Sequence, residues 1–155
     1  MSSDDLAHFL YAAKSATYAA EGNAAAVKPM LQDSKQLEYR VGASLYRDIY
    51  VGLFRFVGQE IVYLSDRAIW SMSYSGGLTD SAQSTSVKTI YAALREALRN
   101  TPPQLPIRGP TSFESNGMLY SCTCEGSLEW FHGVESIAQN GVPVYALNFS
   151  GGILA

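Results

Sequence analysis

Residues 45–77 read LYRDIYVGLFRFVGQEIVYLSDRAIWSMSYSGG, and residues 119–152 read LYSCTCEGSLEWFHGVESIAQNGVPVYALNFSGG. At an offset of 119 − 45 = 74 the matched pairs are Leu45 with Leu119, Tyr46 with Tyr120, Gly52 with Gly126 and Phe56 with Trp130. After one inserted residue the offset becomes 133 − 58 = 75, and the pairs are Gly58 with Gly133, Glu60 with Glu135, Trp70 with Tyr145, Met72 with Leu147, Tyr74 with Phe149, Gly76 with Gly151 and Gly77 with Gly152. This constant register indicates a duplicated supersecondary unit.

Each copy is predicted to begin with a helix. Near the N-terminus, Ser2 or Ser3 can cap a helix whose apolar face consists of Leu6, Phe9, Leu10, Ala13 and Thr17. That helix is predicted to end at Glu21, Gly22 and Asn23. The second copy opens with an apolar stripe over residues 85–99, which predicts a second amphipathic helix.

Strand signals follow each helix. Runs rich in Tyr, Val, Ile and Phe occupy residues 37–41, 45–51, 54–64 and 68–75 in the first copy, and Phe113 with residues 119–124, 128–137 and 142–150 in the second. The predicted fold is therefore α+β: a tandem pseudo-twofold repeat of a helix plus about four antiparallel strands, with the helices packed on one side of the sheet. One domain over residues 1–155 would contain two repeats, at about 1–80 and 81–155. Whether the strands form one sheet or two facing sheets stays open.

The composition excludes several function classes. The chain has 155 residues, 47% hydrophobic and 16% charged, with a formal net charge of −3 and no run of Lys or Arg, so nucleic-acid binding is not expected. The N-terminal residues are acidic where a signal peptide would be basic, and no apolar stretch is long enough to span a bilayer. We therefore expect a soluble, cytoplasmic protein without a membrane partner.

The two cysteines do not predict a metal site or a disulfide. Cys122 and Cys124 lie two residues apart on a predicted strand, a separation that is awkward for a disulfide. The two histidines, His8 and His132, are not at a recognised metal-ligand spacing from them. We expect buried thiols, no metal and no cofactor.

Strand alternation separates two faces in each copy. Trp70, Met72 and Tyr74 point to one side and the intervening serines to the other, and the run Tyr145, Leu147 and Phe149 repeats this pattern. The bulky face is predicted to be the core. The face of small polar residues could leave room for a ligand.

Three carboxylates depart from a pure packing pattern. Asp48 is predicted to share a face with Tyr46 and Tyr50, which fits either an exposed face or a site for a polar ligand or general base. Glu60 and its repeat mate Glu135 either form a carboxylate pair for acid/base chemistry, or each bonds the turn or backbone of its own repeat. The candidate catalytic residues are Asp48 and Glu60.

A family resemblance rests on short strings in a fixed order. The strings are FLYAAKSATYA, LEYRVGASLYRDIYVG, FVGQEIVY, AIWSMSYSGG, ALRNTP, IRGP, WFHGVESI and VPVYALNFSGG. Together they resemble the domain-of-unknown-function family numbered 5680, which occurs alone and as the C-terminal partner of Xre-type helix-turn-helix regulators. The family pattern has Asn in its first copy where this chain has Ser73, whereas Asn148 is present in the second copy. The resemblance implies no established activity, but a domain fused to DNA-binding modules often senses something.

The favoured function is therefore a small-molecule binding or sensing module. The alternatives are an enzyme that uses carboxylate acid/base chemistry on a small metabolite, and a protein-interaction domain that forms a homodimer. The predicted pocket lies on the polar side of the first copy or between the copies, and its predicted lining is Tyr18, Asp48, Tyr50, Glu60, Trp70 and Arg108. Arg108, on a Pro-rich loop, either binds a ligand anion or pairs with Asp48 or Glu60.

Overall fold

Eight strands form one antiparallel sheet in the computed structural model, which describes residues 1–19 and 24–154. The strands are β1 (Lys35–Val41), β2 (Ser44–Gly52), β3 (Arg55–Leu64), β4 (Arg67–Leu78), β5 (Ser112–Ser115), β6 (Met118–Ser127), β7 (Trp130–Gln139) and β8 (Val142–Ile153). Their order in the sheet is β1-β2-β3-β4-β8-β7-β6-β5. Two four-stranded meanders thus meet through their last strands, which answers the question of one sheet or two.

The join between β4 and β8 lies at the centre of the sheet. Tyr74 is directly opposite Phe149, and the pairing runs from Trp70 with Ile153 to Leu78 with Tyr145. Gly76 allows this close approach, because a Cβ atom there would overlap the backbone of β8. The sheet is therefore continuous from β1 to β5.

Two helices cover one face of the sheet. Helix α1 (Ser3–Ala16) begins with a capping box in which the Ser2 and Asp5 side chains each bond the other residue's backbone N–H. Helix α2 (Val87–Leu98) lies between a short 3-10 helix, Asp80–Ser84, and the Pro-rich loop. The predicted end of the first helix at Glu21, Gly22 and Asn23 lies outside the described residues.

The buried faces of both helices share one core with the bulky face of the sheet. That core includes Leu10 of α1 and Ile90 of α2, together with Trp70, Met72 and Tyr145 of the sheet, all fully buried. The protein is thus α+β with its helices against the bulky face, and the predicted core face is correct. No helix within the described residues is long and apolar enough to cross a membrane.

The opposite face of the central strands carries small polar side chains. Ser73, Ser75, Asn148 and Ser150 are exposed there, while Ser71 is buried and donates a hydrogen bond to the Glu60 carbonyl. Trp130, near the start of β7, is 74% exposed. The candidate site lies on the other face, beneath the helices.

Candidate functional site

Among the described residues, five side chains of the Asp, Glu, Lys and Arg types are buried between the helices and the sheet. They are Lys14, Asp48, Glu60, Arg108 and Glu135, each at most 6% exposed. Buried charges are costly unless they are paired and hydrogen-bonded. Three carboxylates face two cations, so full ionisation would leave this cluster with one excess negative charge. The hydrogen bonds and ion pairs of each carboxylate show which of the three lacks a cation of its own.

Glu135, on β7, is completely satisfied. Arg108 binds it with two parallel hydrogen bonds, Nε to Oε2 at 3.0 Å and Nη2 to Oε1 at 2.6 Å. The hydroxyls of Tyr120 and Tyr145 donate to the two oxygens at 2.6 and 2.9 Å. Burial acts to lower the pKa of Arg108, but the charge of Glu135 holds that pKa well above its usual value. Glu135 and Arg108 form a closed structural pair.

The Pro-rich loop positions this pair. The carbonyl of Ile107 accepts a hydrogen bond from Lys14 Nζ at 2.7 Å, and the next residue, Arg108, reaches Glu135. The backbone N–H of Gly109 donates to the Tyr120 hydroxyl, which leaves no room there for a Cβ atom. Three successive loop residues therefore tie α1, β6 and β7 together.

Glu60, on β3, has fewer partners. Its Oε2 lies 2.6 Å from Lys14 Nζ, and both side chains are almost completely buried. Neither Glu60 oxygen accepts a well-directed hydrogen bond from the described residues, although the ion pair is close. Burial lowers the pKa of Lys14, and the charge of Glu60 opposes that change. One ion pair thus stands where Glu135 has four hydrogen bonds.

Asp48, on β2, accepts a hydrogen bond from the Tyr74 hydroxyl to its Oδ1 at 2.6 Å. Gly58 allows this contact, because it pairs with Tyr74 and a Cβ atom at that position would overlap the tyrosine ring. Burial, and next the charge of Glu60, raise the pKa of Asp48 to about 7. The Tyr74 hydrogen bond and the cations Lys14 and Arg108 act against this rise. Asp48 is therefore the carboxyl that takes up a proton and so removes the excess negative charge of the cluster.

Two buried phenols next to these carboxylates lack a hydrogen-bond partner among the described residues. They are the hydroxyls of Tyr18 and Tyr46. Burial raises the pKa of both, and in each case the largest further contribution is the charge of Glu60. The Tyr18 ring also lies between two cations, 5.6 Å from Lys14 Nζ and 5.8 Å from Arg108 Cζ. Polar groups this deeply buried normally have partners.

A groove of about 680 Å³ opens onto this cluster between α2 and strands β1 to β4. Its walls are mainly aromatic, from Tyr18, Tyr50, Phe56, Tyr74 and Tyr91. Asp48 and Arg108 lie in its floor, and Lys35, Arg95 and Arg99 bring positive charge to its lining. An apolar cavity with a few convergent polar groups is the usual form of a small-molecule site.

The structure brings four of the six predicted site residues to this groove: Tyr18, Asp48, Tyr50 and Arg108. Glu60 lies directly opposite Asp48 on the neighbouring strand but does not line the groove. Trp70 lies in the core, where its indole N–H donates to the Leu128 carbonyl at 3.1 Å and its ring stacks on Phe131.

Several expectations about these residues are wrong. Asp48 does not lie on an exposed face, because the helices cover it and leave it 3% exposed. Arg108 pairs with Glu135 rather than with Asp48 or Glu60. The groove lies on the bulky side of the sheet, whereas the polar face carries a separate depression of about 520 Å³ that none of the three predicted charged residues lines.

Glu60 and Glu135 do not form a carboxylate pair. Strands β4 and β8 lie between β3 and β7, which separates the two backbones by roughly 14 Å at about 4.8 Å per strand. Each glutamate has its own cation, Lys14 or Arg108. In the part of the chain that the structure describes, neither glutamate side chain bonds the backbone of its own repeat: Glu60 pairs with Lys14 on α1, and Glu135 pairs with Arg108 on the loop that follows α2.

Lys14 belongs to the buried charged cluster but is not among the residues that the sequence pattern predicts for the site. The predicted apolar face of α1 does not include Lys14, yet this side chain is 2% exposed. The signal was present, because Lys14 follows Leu10 by four residues and Ala7 by seven, both of which are buried. A lysine inside a helical apolar stripe predicts a buried carboxylate partner.

The cysteines contribute little to the site. Both are free thiols, and burial together with the charge of Glu135 raises the pKa of Cys122 to about 11. A low pKa is what makes a thiol reactive, so Cys122 is an inert packing residue. Within residues 1–19 and 24–154, no group of three or more His, Cys, Asp or Glu side chains could hold a metal ion.

Fold and site together define an α+β protein with one antiparallel sheet, a buried charged cluster and a groove above it. The family model described as Domain of unknown function (DUF5680) matches residues 48–154, and the chain belongs to this family. The resemblance found in the sequence strings is thereby confirmed, with α1 and β1 outside the matched segment. No curated protein and no solved structure matches the chain.

Proposed function

We propose that the chain is a cytoplasmic small-molecule binding or sensing module, built from a duplicated unit of a helix and four strands. In the second copy the buried carboxylate is structural. In the first copy one buried carboxylate, Asp48, lines the groove and is available to a ligand there. The observation that carries the proposal is that Asp48 is 3% exposed, lines the groove and receives one hydrogen bond, from Tyr74, among the described residues.

The strand pairing supports the duplication. Tyr74 and Phe149, which differ by the repeat offset of 149 − 74 = 75, lie opposite each other, as residues next to a twofold axis would. The inserted residue falls in the turn between β6 and β7. Gly52 pairs with Phe56 across β2 and β3, whereas the matching Gly126 pairs with Phe131 across β6 and β7, so the second turn is one residue longer. In the proposed repeat, Phe56 then corresponds to buried Phe131 rather than to exposed Trp130.

The shape and chemistry of the groove support a small ligand. Its volume of about 680 Å³ is in the range of small-molecule sites, and its aromatic walls suit a flat or apolar body. Asp48 supplies a hydrogen-bonding and charged group in the floor. A bound ligand would also contact Tyr18, in the turn that follows α1, and Tyr91 of α2, so binding would fix both against the sheet.

Acid/base catalysis is a second candidate, and one observation favours it. A carboxyl whose pKa is about 7 can donate or accept a proton near neutral pH, and Asp48 meets that condition. Tyr74 orients the carboxyl through its hydrogen bond. In this case Asp48 is the general acid or base and Tyr74 its positioning residue.

Blocking the groove tests the binding proposal. Ala92 is an exposed residue of the groove lining on α2, and Ala92→Trp would narrow the groove without removing any member of the charged cluster. We expect compounds that stabilise the wild-type chain in a thermal-shift screen, or that co-purify with it in native mass spectrometry, to be lost with this variant. Thr89→Trp is the matched control, because Thr89 is exposed on the same helix and does not line the groove. Compounds that bind Ala92→Trp as tightly as wild type would contradict the proposal.

A further inference from the structure

The buried glutamates Glu60 and Glu135 occupy comparable positions on β3 and β7 but differ in their partners. Glu135 accepts four hydrogen bonds, from Arg108, Tyr120 and Tyr145. Around Glu60 the hydroxyl of the matching tyrosine, Tyr46, has no hydrogen-bond partner within residues 1–19 and 24–154, and Trp70 replaces the second tyrosine. Lys14 is therefore the partner that remains for Glu60. The first half of the sheet lacks the donors that close the second half.

The same half carries an additional carboxylate. At the position that corresponds to Asp48 the second half has Cys122, 74 residues later, so the excess of acidic groups is confined to the neighbourhood of the groove. Asp48 and Glu60 are directly opposite each other on β2 and β3. Two carboxylates there need two cations, and α1 supplies one, Lys14.

On this basis, and resting on the proposed small-molecule function, we infer that the ligand carries a protonated amine that binds at Asp48 and is directed toward Glu60. An ammonium group has three N–H donors and one positive charge. It would supply hydrogen bonds to the Asp48 carboxylate and, deeper in the cluster, to Glu60 Oε1, which lies outside the ion pair with Lys14, and to the Tyr46 hydroxyl. It would also bring the cluster of three carboxylates and two cations to neutrality.

The groove walls suit such a group. Tyr18, Tyr50 and Tyr74 present aromatic rings in the lining, and cations bind favourably over aromatic faces. Phe56, in contact with the rings of Tyr50 and Tyr74, extends the apolar surface on which an aryl or alkyl stem would pack. A ligand carboxylate at the same place would meet Asp48 and Glu60 as like charges. The positively charged residues Lys35 and Arg95 lie elsewhere in the lining, where an anionic end of the ligand would be accepted.

Three probes of matched shape test the inference with the full chain: benzylammonium, benzyl alcohol and benzoate. Isothermal titration calorimetry at neutral pH should give benzylammonium an affinity at least about tenfold higher than that of benzyl alcohol. Benzoate should bind most weakly. Asp48→Asn should reduce benzylammonium binding by about tenfold or more while changing benzyl alcohol binding little. Glu125→Gln, at a carboxylate that is 82% exposed, is the matched control and should change neither.

Glu60→Gln provides a second test and should also weaken the binding of benzylammonium. If Glu60→Gln does not fold, the binding measured with Asp48→Asn decides the inference. If benzoate or benzyl alcohol binds as tightly as benzylammonium, and Ala92→Trp abolishes that binding, the amine assignment is overturned and the groove remains a binding site. If benzylammonium does not bind at millimolar concentration, or binds Asp48→Asn as well as wild type, the inference is also overturned. The thermal-shift screen against Ala92→Trp then decides the broader proposal separately.

Discussion

Asp48 and Glu60 are cross-strand partners on β2 and β3, so two carboxylates share one buried face of the sheet. Like charges directly opposite each other destabilise a sheet. The protein reduces this cost by pairing Glu60 with Lys14 and by raising the pKa of Asp48 to about 7, so that Asp48 is largely protonated below neutral pH. The groove above Asp48 then gives a ligand access to the carboxyl whose ionisation would add the excess negative charge.

The titration of Asp48 predicts a specific dependence of stability on pH. Its folded pKa of about 7 exceeds the ordinary value of 3.8, so between these values the folded chain binds a proton that the unfolded chain does not. Stability should therefore fall as pH rises toward 7, by up to about 1.4 kcal/mol per pH unit from this group. Asp48→Asn should remove this slope. Urea unfolding at several pH values from 5 to 7 measures it, and parallel profiles for the two proteins would contradict the assignment.

The ion pair between Lys14 and Glu60 predicts strong coupling. Lys14→Met should destabilise the chain by about 3 to 5 kcal/mol, because it leaves a buried carboxylate without its cation next to Asp48. Adding Glu60→Gln should recover part of that loss, since the double variant buries no uncompensated charge from this pair. Denaturant unfolding of both single variants and the double variant gives the coupling energy. Strictly additive effects would show that the two side chains do not interact.

Removing the charge of Glu135 should cost more stability than removing the charge of Glu60. Glu135→Gln removes the charge that Arg108 binds with two hydrogen bonds, and it places an amide group opposite guanidinium and phenol donors. We expect a loss of about 3 to 5 kcal/mol, and a larger loss than for Glu60→Gln measured under the same conditions. Glu129→Gln on the exposed hairpin should stay within about 0.5 kcal/mol. Equal losses for Glu60→Gln and Glu135→Gln would contradict the distinction between an open and a closed carboxylate.

Helix α2 offers a matched pair of substitutions. Leu94 is 7% exposed and Arg95 is exposed at the groove, although the two are adjacent in sequence. Leu94→Ala should cost about 2 to 5 kcal/mol as a large-to-small core change. Arg95→Ala should stay within about 0.5 kcal/mol. Similar denaturation midpoints for the two variants would contradict the assignment of Leu94 to the face of α2 that packs against the sheet.

Most of the fold could be predicted from the sequence because alternation and helical spacing depend on local geometry. The alternation of Trp70, Met72 and Tyr74 with serines identified the core face, and the stripe of α2 identified its buried side. The pairing of β4 with β8 could not be predicted in this way. It depends on contacts between residues 75 positions apart, such as Tyr74 with Phe149, which no local pattern specifies.

The site was predicted less completely. Alternation placed Asp48 and Tyr50 on one face, but it could not show which part of a covered face the helices leave open. Trp70 lies on the same face but within the hydrophobic core, whereas Asp48 lines the groove. The partners of Arg108 and Lys14 come from elements distant in sequence, so their pairing with Glu135 and Glu60 required the tertiary structure.

The pKa of Asp48, measured with and without a bound amine, tests whether Asp48 is the titrating carboxyl at which a ligand amine binds. It can be measured from the ¹³C shift of the side-chain carboxyl as a function of pH in the labelled full chain. We expect a midpoint near pH 7 for the free protein, which falls when benzylammonium saturates the groove, because a bound cation favours the ionised carboxylate. A midpoint near the ordinary value of 3.8, unchanged by benzylammonium, would contradict this expectation.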